Sequence, residues 1–484
     1  MIAAELTEKL SSDNCCIRDK HSHEIYTLRF PGVRMYVVNA PRLIPLIERQ
    51  TATLSFAPVE SAATAAVLGT SEATNRIMAA DPASPDNHFA VFRKTVRPVL
   101  APGPFLAAMF TRSFTTMSRS LDVQFGGGRT SVTTKLLAWT GREITLAGTT
   151  AEYGEANPFS EPDVYQAWQT FISGLPIFVS GFYPHIFARR SFAAREFLVS
   201  RFARYLGEGS HLTSGGSSGA VLARLRHNAA AGMPFADSAR GEVGACMALL
   251  NNTIPGMFWV VYHIFSDPAV LADVRAELLA TAVRRPLMPD TAEEGECCVL
   301  DVERVRTACP LLQSTVCEVY RFRGIGTGMV RVVVQDDVLD GRHLLKKGGL
   351  VFAPNSLPHF APALWGPDCD RFDHRRFLRG SSAAGGGNNI KSVSSSALRI
   401  FGGGTARCPG RHFAGGNLLM FAAMLALRAD IRPVEGEAAW AGVTVSKSFG
   451  LGIATGFVEP DRDIDVVVAP VGGQSWRLEF PPGP

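Results

Sequence analysis

Long runs of like charge are missing from this chain, and so is any marked excess of one sign. Lys and Arg number 48 against 44 Asp and Glu, a formal net charge of +4. That balance, with no dense Lys/Arg block, excludes a nucleic-acid footprint. No stretch reaches the roughly 18 uncharged apolar residues that a bilayer crossing requires. The longest apolar runs, around 418–427 and 254–265, fit buried core helices. A signal-peptide pattern is absent too, since Met1 leads into a polar, helix-like segment. The nine cysteines (15, 16, 246, 297, 298, 309, 317, 369 and 408) are odd in number and irregularly spaced. The close pairs, Cys15-Cys16 and Cys297-Cys298, are adjacent rather than two residues apart. This argues against a disulfide framework and a structural zinc, and for thiols in a reducing compartment. No internal repeat is present.

What the chain has is core material. Hydrophobic residues make up 46% and charged residues 19% of 484, enough for one large domain or two medium ones. The segment 23–40, "HEIYTLRFPGVRMYVVNA", reads as two strands about the Pro31-Gly32 turn. From there to about Arg323 the pattern is mostly helical, as in "REFLVSRFARYL" (195–206) and "PAVLADVRAELLATA" (268–282). Asp267 is an expected N-cap, with Pro268 at the first helical position. Residues 238–265 are expected to form one long apolar helix with Pro255 inside. Strand character returns over 328–354, residues 380–396 read as a loop by composition, and a buried helix follows Cys408. The architecture expected is mainly α with a small β-rich subdomain. Its strand-rich part covers about 20–60 and its helical body about 61–484, and no linker divides the chain.

Three motifs match known patterns in the wrong context. Gly215-Gly216-Ser217-Ser218-Gly219 fits a hydrolase nucleophile elbow, but the polar "GEGSHLTS" precedes it where a buried strand is needed. Gly324, Gly326 and Gly328 follow a helix, not the strand of a dinucleotide fingerprint. Asn251-Asn252-Thr253 fits a glycosylation sequon inside an apolar helix, where an oligosaccharide has no room.

"FGGGTARCPGR" (401–411) is different. A metal-ligating cysteine must be held as a thiolate, which backbone N–H dipoles and a helix N-terminus stabilise. Glycines let those amides turn toward one sulfur without Cβ clashes. Gly402–Gly404 precede Cys408, Gly410 follows it, a helix starts just beyond, and Phe401 can shield the site from water. The bland alternative is a glycine-rich turn with an incidental cysteine.

The spacing Phe401-x-x-Gly404-x-x-x-Cys408-x-Gly410 resembles the haem-binding loop of the cytochrome P450 family, the haem-thiolate monooxygenases. Ninety residues before the cysteine, Glu318-Val319-Tyr320-Arg321 matches that family's Glu-x-x-Arg signature, both charges on one helix face. Alone, such a pair would be a solvated ion pair of little worth. Apolar neighbours Leu311, Leu312, Val316, Val319 and Phe322 argue for burial. "DRFDHRRFL" (370–378) resembles the third element, with Arg376 joining Glu318 and Arg321. The resemblance extends from the early strands to Phe457, and "NNTIPGMFW" is similar to the branch of sterol 7α-hydroxylase and prostacyclin synthase. Pro255 cannot donate to the carbonyl of Asn251, so the helix should kink or open there; the alternative is a mere packing kink.

The resemblance implies the P450 fold over 1–484 and haem b, with Cys408 as axial ligand and Phe401, Gly404, Arg331 and Arg407 about the cofactor. It implies that Glu318, Arg321 and Arg376 are structural and that Asn252 and Thr253 handle oxygen and protons. The substrate wall would be Met247, Leu250, Gly326–Met329 and Phe449–Leu451. The implied reaction is insertion of one oxygen atom from O2 into a lipophilic sterol, terpenoid or polyketide-like molecule, in secondary metabolism. Electrons would come from an NADPH-dependent reductase docked on a positive patch of Arg399, Arg407 and Arg411. The implied location is the cytosolic face of the endoplasmic reticulum membrane.

Four departures qualify this. Ala406 stands where a basic residue usually meets a haem propionate, leaving Arg331, Arg407 or Arg411 to compensate. Asn252 replaces the acid before the threonine, and His374 replaces a proline. The usual membrane anchor and proline-rich hinge do not precede the first strands, so the expectation is a truncated sequence or peripheral membrane binding. Two rival readings stay open: a haem-thiolate isomerase or dehydratase that rearranges a peroxide without reductase, and a non-catalytic haem-binding protein.

Overall fold

The structure is a computed structural model that describes residues 23–125, 131–213, 215–284, 297–326, 328–378, 397–446 and 456–481. The expected loop at 380–396 and the expected wall residues Phe449–Leu451 lie outside the described residues.

Strands β1 (Ile25–Phe30) and β2 (Val33–Val38) form the hairpin read from the sequence, with Gly32 at φ 74° in its turn. A five-stranded sheet continues in the order β1-β2-β5-β4-β3, with β3 at Leu54–Ser55, β4 at Met329–Val333 and β5 at Leu350–Ala353. β5 runs parallel to β2 and antiparallel to β4. Tyr36, Val38, Leu43, Ile44, Ile47 and Leu54 fill the core of this layer.

The rest is mostly helix. The six helices that frame the site are α1 (Ile44–Arg49), α2 (His88–Leu100), α3 (Phe235–Leu250), α4 (Thr253–Phe265), α5 (Pro310–Arg323) and α6 (Arg411–Arg428). From Asn417 to Arg428 every residue of α6 is buried, which is why its sequence is apolar all round. α4 and α6 supply much of the largest core cluster, including Phe258, Trp259, Phe421 and Leu425. The expected cap is present: the Asp267 carboxylate accepts from Ala269 N ahead of the helix Pro268–Thr281. Ser218 caps the helix Gly219–Ala230, so the hydrolase-like motif is a helix start with no strand before it.

Two expectations change. The single helix over 238–265 is two helices, α3 and α4, with Asn251 and Asn252 between them. Pro255 therefore sits in the first turn of α4, where its missing N–H would have had no partner inside the helix. The span Phe235–Phe265 is also long and apolar enough to cross a membrane, contrary to the reading of the runs above. In its best window 56% is buried inside the fold, the behaviour of a core helix.

Candidate functional site

Cys408 sits at the end of a loop that glycine makes possible. Gly402 and Gly404 have φ of 66° and 58°, a region where side chains are strained. Gly403 leaves no room for a Cβ, which would lie 2.1 Å from Glu48 Oε1 of α1. The loop closes when Cys408 N donates to Phe401 O at 2.9 Å, and α6 starts three residues on. Phe401 packs edge-on against Tyr320 of α5, with ring centroids 5.3 Å apart.

The electrostatics single out this sulfur. Burial is the largest influence and raises the Cys408 thiol above its ordinary value, while the N–H groups of Gly410 and Arg411 and the Arg411 charge offset part of that rise. Cys317 has no such opposition: burial and the neighbouring Glu318 charge push it up to about 12. All cysteines among the described residues are free thiols.

Glu318, Arg321 and Arg376 come together, each at 0% exposure. Arg321 Nε and Nη2 donate to Glu318 Oε2 and Oε1 at 2.8 and 2.7 Å. Arg376 Nε and Asp373 N add bonds to Oε1 at 3.0 and 3.1 Å. The spare donors reach carbonyls: Arg321 Nη1 to His359 and Cys369, Arg376 Nη1 to Trp365. His374 faces the Asp273 carboxylate at 2.8 Å, a contact that proline could not make.

Arg331 on β4 is 9% exposed, and its guanidinium donates to the neighbouring Val330 O at 2.7 Å. It lies over the Phe56 ring. Burial, helped by Arg399 and Arg93, lowers its pKa to about 10, while Glu48 and Glu60 oppose this. Sequence reasoning missed Glu48, Glu60 and Arg93, whose ranks in the chain give no hint that they meet Arg331. A buried cation with no carboxylate among its hydrogen-bond partners, a glycine cradle and a sulfur facing N–H dipoles together fit an iron porphyrin with anionic propionates.

Other expected residues are placed differently. Arg399 is not part of a surface patch: it is 2% exposed and its Nη2 donates to Glu48 Oε1 at 2.7 Å. Arg407 is exposed, and Arg411 Nη1 donates to Cys408 O at 3.1 Å. Leu250 packs in a core cluster with Tyr153 and Phe202, and Met247 borders it. Met329 is buried in the core of the β-sheet. Leu250 and Met329 are both buried among apolar neighbours, and apolarity in the sequence does not say against which neighbour a face packs. Thr253 is buried, its Oγ1 donating to Leu249 O at 2.5 Å. Asn252 Oδ1 accepts from Gly456 N and Phe457 N at 2.5 and 3.3 Å, and Gly326 N donates to Gly456 O at 2.8 Å.

A family model for cytochrome P450 matches residues 245–437. The chain is 31% identical over 421 residues to the cytochrome P450 monooxygenase nodJ of Hypoxylon pulicicidum, covering 87% of this chain and 79% of that one. It is 26% identical over 245 residues to a 25-hydroxycholesterol 7-alpha-hydroxylase of Rattus norvegicus, covering 49% and 54%, so the likeness to that branch is the lesser one. A retinoic acid-bound cyanobacterial CYP120A1 superposes with a TM-score of 0.69 over 96% of both chains at 18% identity, a likeness of fold.

Proposed function

The chain belongs to the cytochrome P450 family, and from that premise we propose that it oxygenates a lipophilic small molecule of sterol, terpenoid or polyketide type in secondary metabolism. It is a haem-thiolate monooxygenase, an oxidoreductase whose iron is held by a cysteine thiolate. Haem, when bound, supplies the reduction and cleavage of O2 that leave one oxygen atom for the substrate.

Cys408 is the ligand in this proposal, and the observation that carries it is the glycine loop that closes on its backbone at the start of α6, where two backbone N–H groups and the Arg411 guanidinium offset part of the burial that disfavours its anion. Phe401 and Tyr320 keep water from the loop. Arg331 takes the anionic edge of the cofactor in place of a basic residue at Ala406, supported by its burial and by the lack, among the described residues, of a carboxylate hydrogen-bond partner. Glu318, Arg321 and Arg376 hold the layers beneath the loop. Thr253 holds a hydroxyl proton at Oγ1 beside the helix break and would pass it on by exchanging Leu249 O for a water. Exposed Arg407 offers a contact for an acidic reductase surface.

Peripheral attachment to the cytosolic face of the endoplasmic reticulum membrane is supported by one surface. Phe182, Tyr183, Ile186 and Phe187 are each more than half exposed, just before Arg189 and Arg190. Residues 1–484 act as one domain in this reading.

The test is spectral and then catalytic. The reduced protein with carbon monoxide should show the thiolate-type difference spectrum. Conversion in a screen of sterols, terpenoids and polyketides should require NADPH, reductase and O2 together. Conversion of a substrate peroxide without reductase would instead identify an isomerase.

A further inference from the structure

Asn252 stands where the proton-handling role was expected, yet its side-chain oxygen is committed elsewhere. Asn252 Oδ1 accepts from both Gly456 N and Phe457 N. The far side of the same residue, Gly456 O, accepts from Gly326 N at 2.8 Å. One glycine thus links the α3–α4 break to the loop between α5 and β4. The contact is built for that residue. A Cβ on Gly456 would meet Ile400 Cδ1 at 2.8 Å, and one on Gly256 of α4 would meet the Phe457 ring at 2.8 Å. One residue on, Trp259 Nε1 donates to Val458 O at 2.7 Å, so the segment is pinned along α4.

We propose that Asn252 is a positioning residue that determines specificity: through Gly456 it clasps the helix break to the Gly326 loop and fixes the spacing of the segments facing the substrate. An amide suits this role and does not suit proton relay. Its oxygen accepts two N–H bonds at any neutral pH, and it has no proton to release there. The substrate consequence rests on the monooxygenase reading; the clasp itself does not.

The experiment compares Asn252→Leu, Asn252→Ser and Asn252→Asp in the haem-loaded full chain. Leucine removes the acceptor, serine is too short to reach, and aspartate keeps an oxygen in place. Hydrogen exchange at the Gly456 and Phe457 amides should accelerate about tenfold in the leucine and serine variants, the factor for losing an ordinary hydrogen bond. Aspartate should restore slow exchange. Ferric-haem titrations with imidazole and with clotrimazole supply the second readout. The ratio of the two affinities should shift about tenfold with leucine or serine and return with aspartate. The serine variant carries the test if leucine prevents folding. Unchanged exchange in both would overturn the clasp. Altered exchange with an unchanged affinity ratio would overturn the specificity role, and an aspartate variant as perturbed as leucine would overturn the acceptor role. A wild-type protein lacking the thiolate-type spectrum would sink the functional reading and leave the exchange measurement standing.

Discussion

The Glu318–Arg321–Arg376 knot and the Asn251–Thr253 break are both polar, the first fully and the second partly buried, and they are held by different means. In the knot, one carboxylate takes four hydrogen bonds, and the guanidiniums spend their spare donors on carbonyls from 359–371. At the break, Asn251 Oδ1 is buried with no hydrogen-bond partner, Thr253 turns back on its own helix, and Asn252 holds a distant backbone. Saturated charge gives an arrangement that cannot shift without stranding an ion. A neutral group such as the Thr253 hydroxyl can rearrange at the cost of one bond. The difference matches the tasks proposed for them: a scaffold in the knot, and at the break an exchangeable Thr253 hydroxyl beside the Asn252 clasp.

The largest effect should come from breaking the knot. Glu318→Ala leaves the buried Arg321 guanidinium without its carboxylate and Arg376 with only the exposed Asp368, and should cost about 3–5 kcal/mol, with loss of soluble protein and haem together. A folded, haem-loaded variant in a thermal melt would erase the contrast. Cys408→Ala should abolish the thiolate-type carbon monoxide spectrum, whereas Cys317→Ala should keep it, since its thiol is pushed up to about 12 with nothing to stabilise the anion. Gly403→Ala sharpens the comparison between knot and loop. Its Cβ would lie 2.1 Å from Glu48 Oε1, and overpacking of this kind costs about 1–3 kcal/mol, readable as a lowered Tm. Thr253→Ala should have the smallest effect on stability. Product should fall while hydrogen peroxide rises at similar NADPH consumption, because oxygen is reduced without productive cleavage.

Much of the fold was legible locally. Pro31-Gly32 marks a turn, Asp267-Pro268 a helix start, and Glu318 and Arg321 sit three apart among apolar residues. Each signal lies within one turn of chain. What stayed hidden depends on partners far away. Glu48 packs on Gly403, Arg399 on Glu48, and Gly456 on Asn252, pairs separated by hundreds of residues with no periodicity to announce them. Leu250 and Met329 show the same limit: apolarity predicts burial, but not which cluster receives the side chain. The helix break was half legible. Pro255 predicts an interruption, while its placement before Thr253, rather than at the proline, follows from the first-turn tolerance of proline.

The parallel pairing of β2 with β5 sets a waiting time during synthesis. Met35 finds Leu350 opposite it, so 315 positions must be made before that edge is covered. At about 5–20 residues per second, the hairpin holds an unpaired edge for roughly 15–60 s. An open edge on an apolar hairpin is a template for pairing with another nascent chain. Chains stalled before residue 350 should therefore aggregate through β2, and faster elongation should raise the soluble yield of this enzyme.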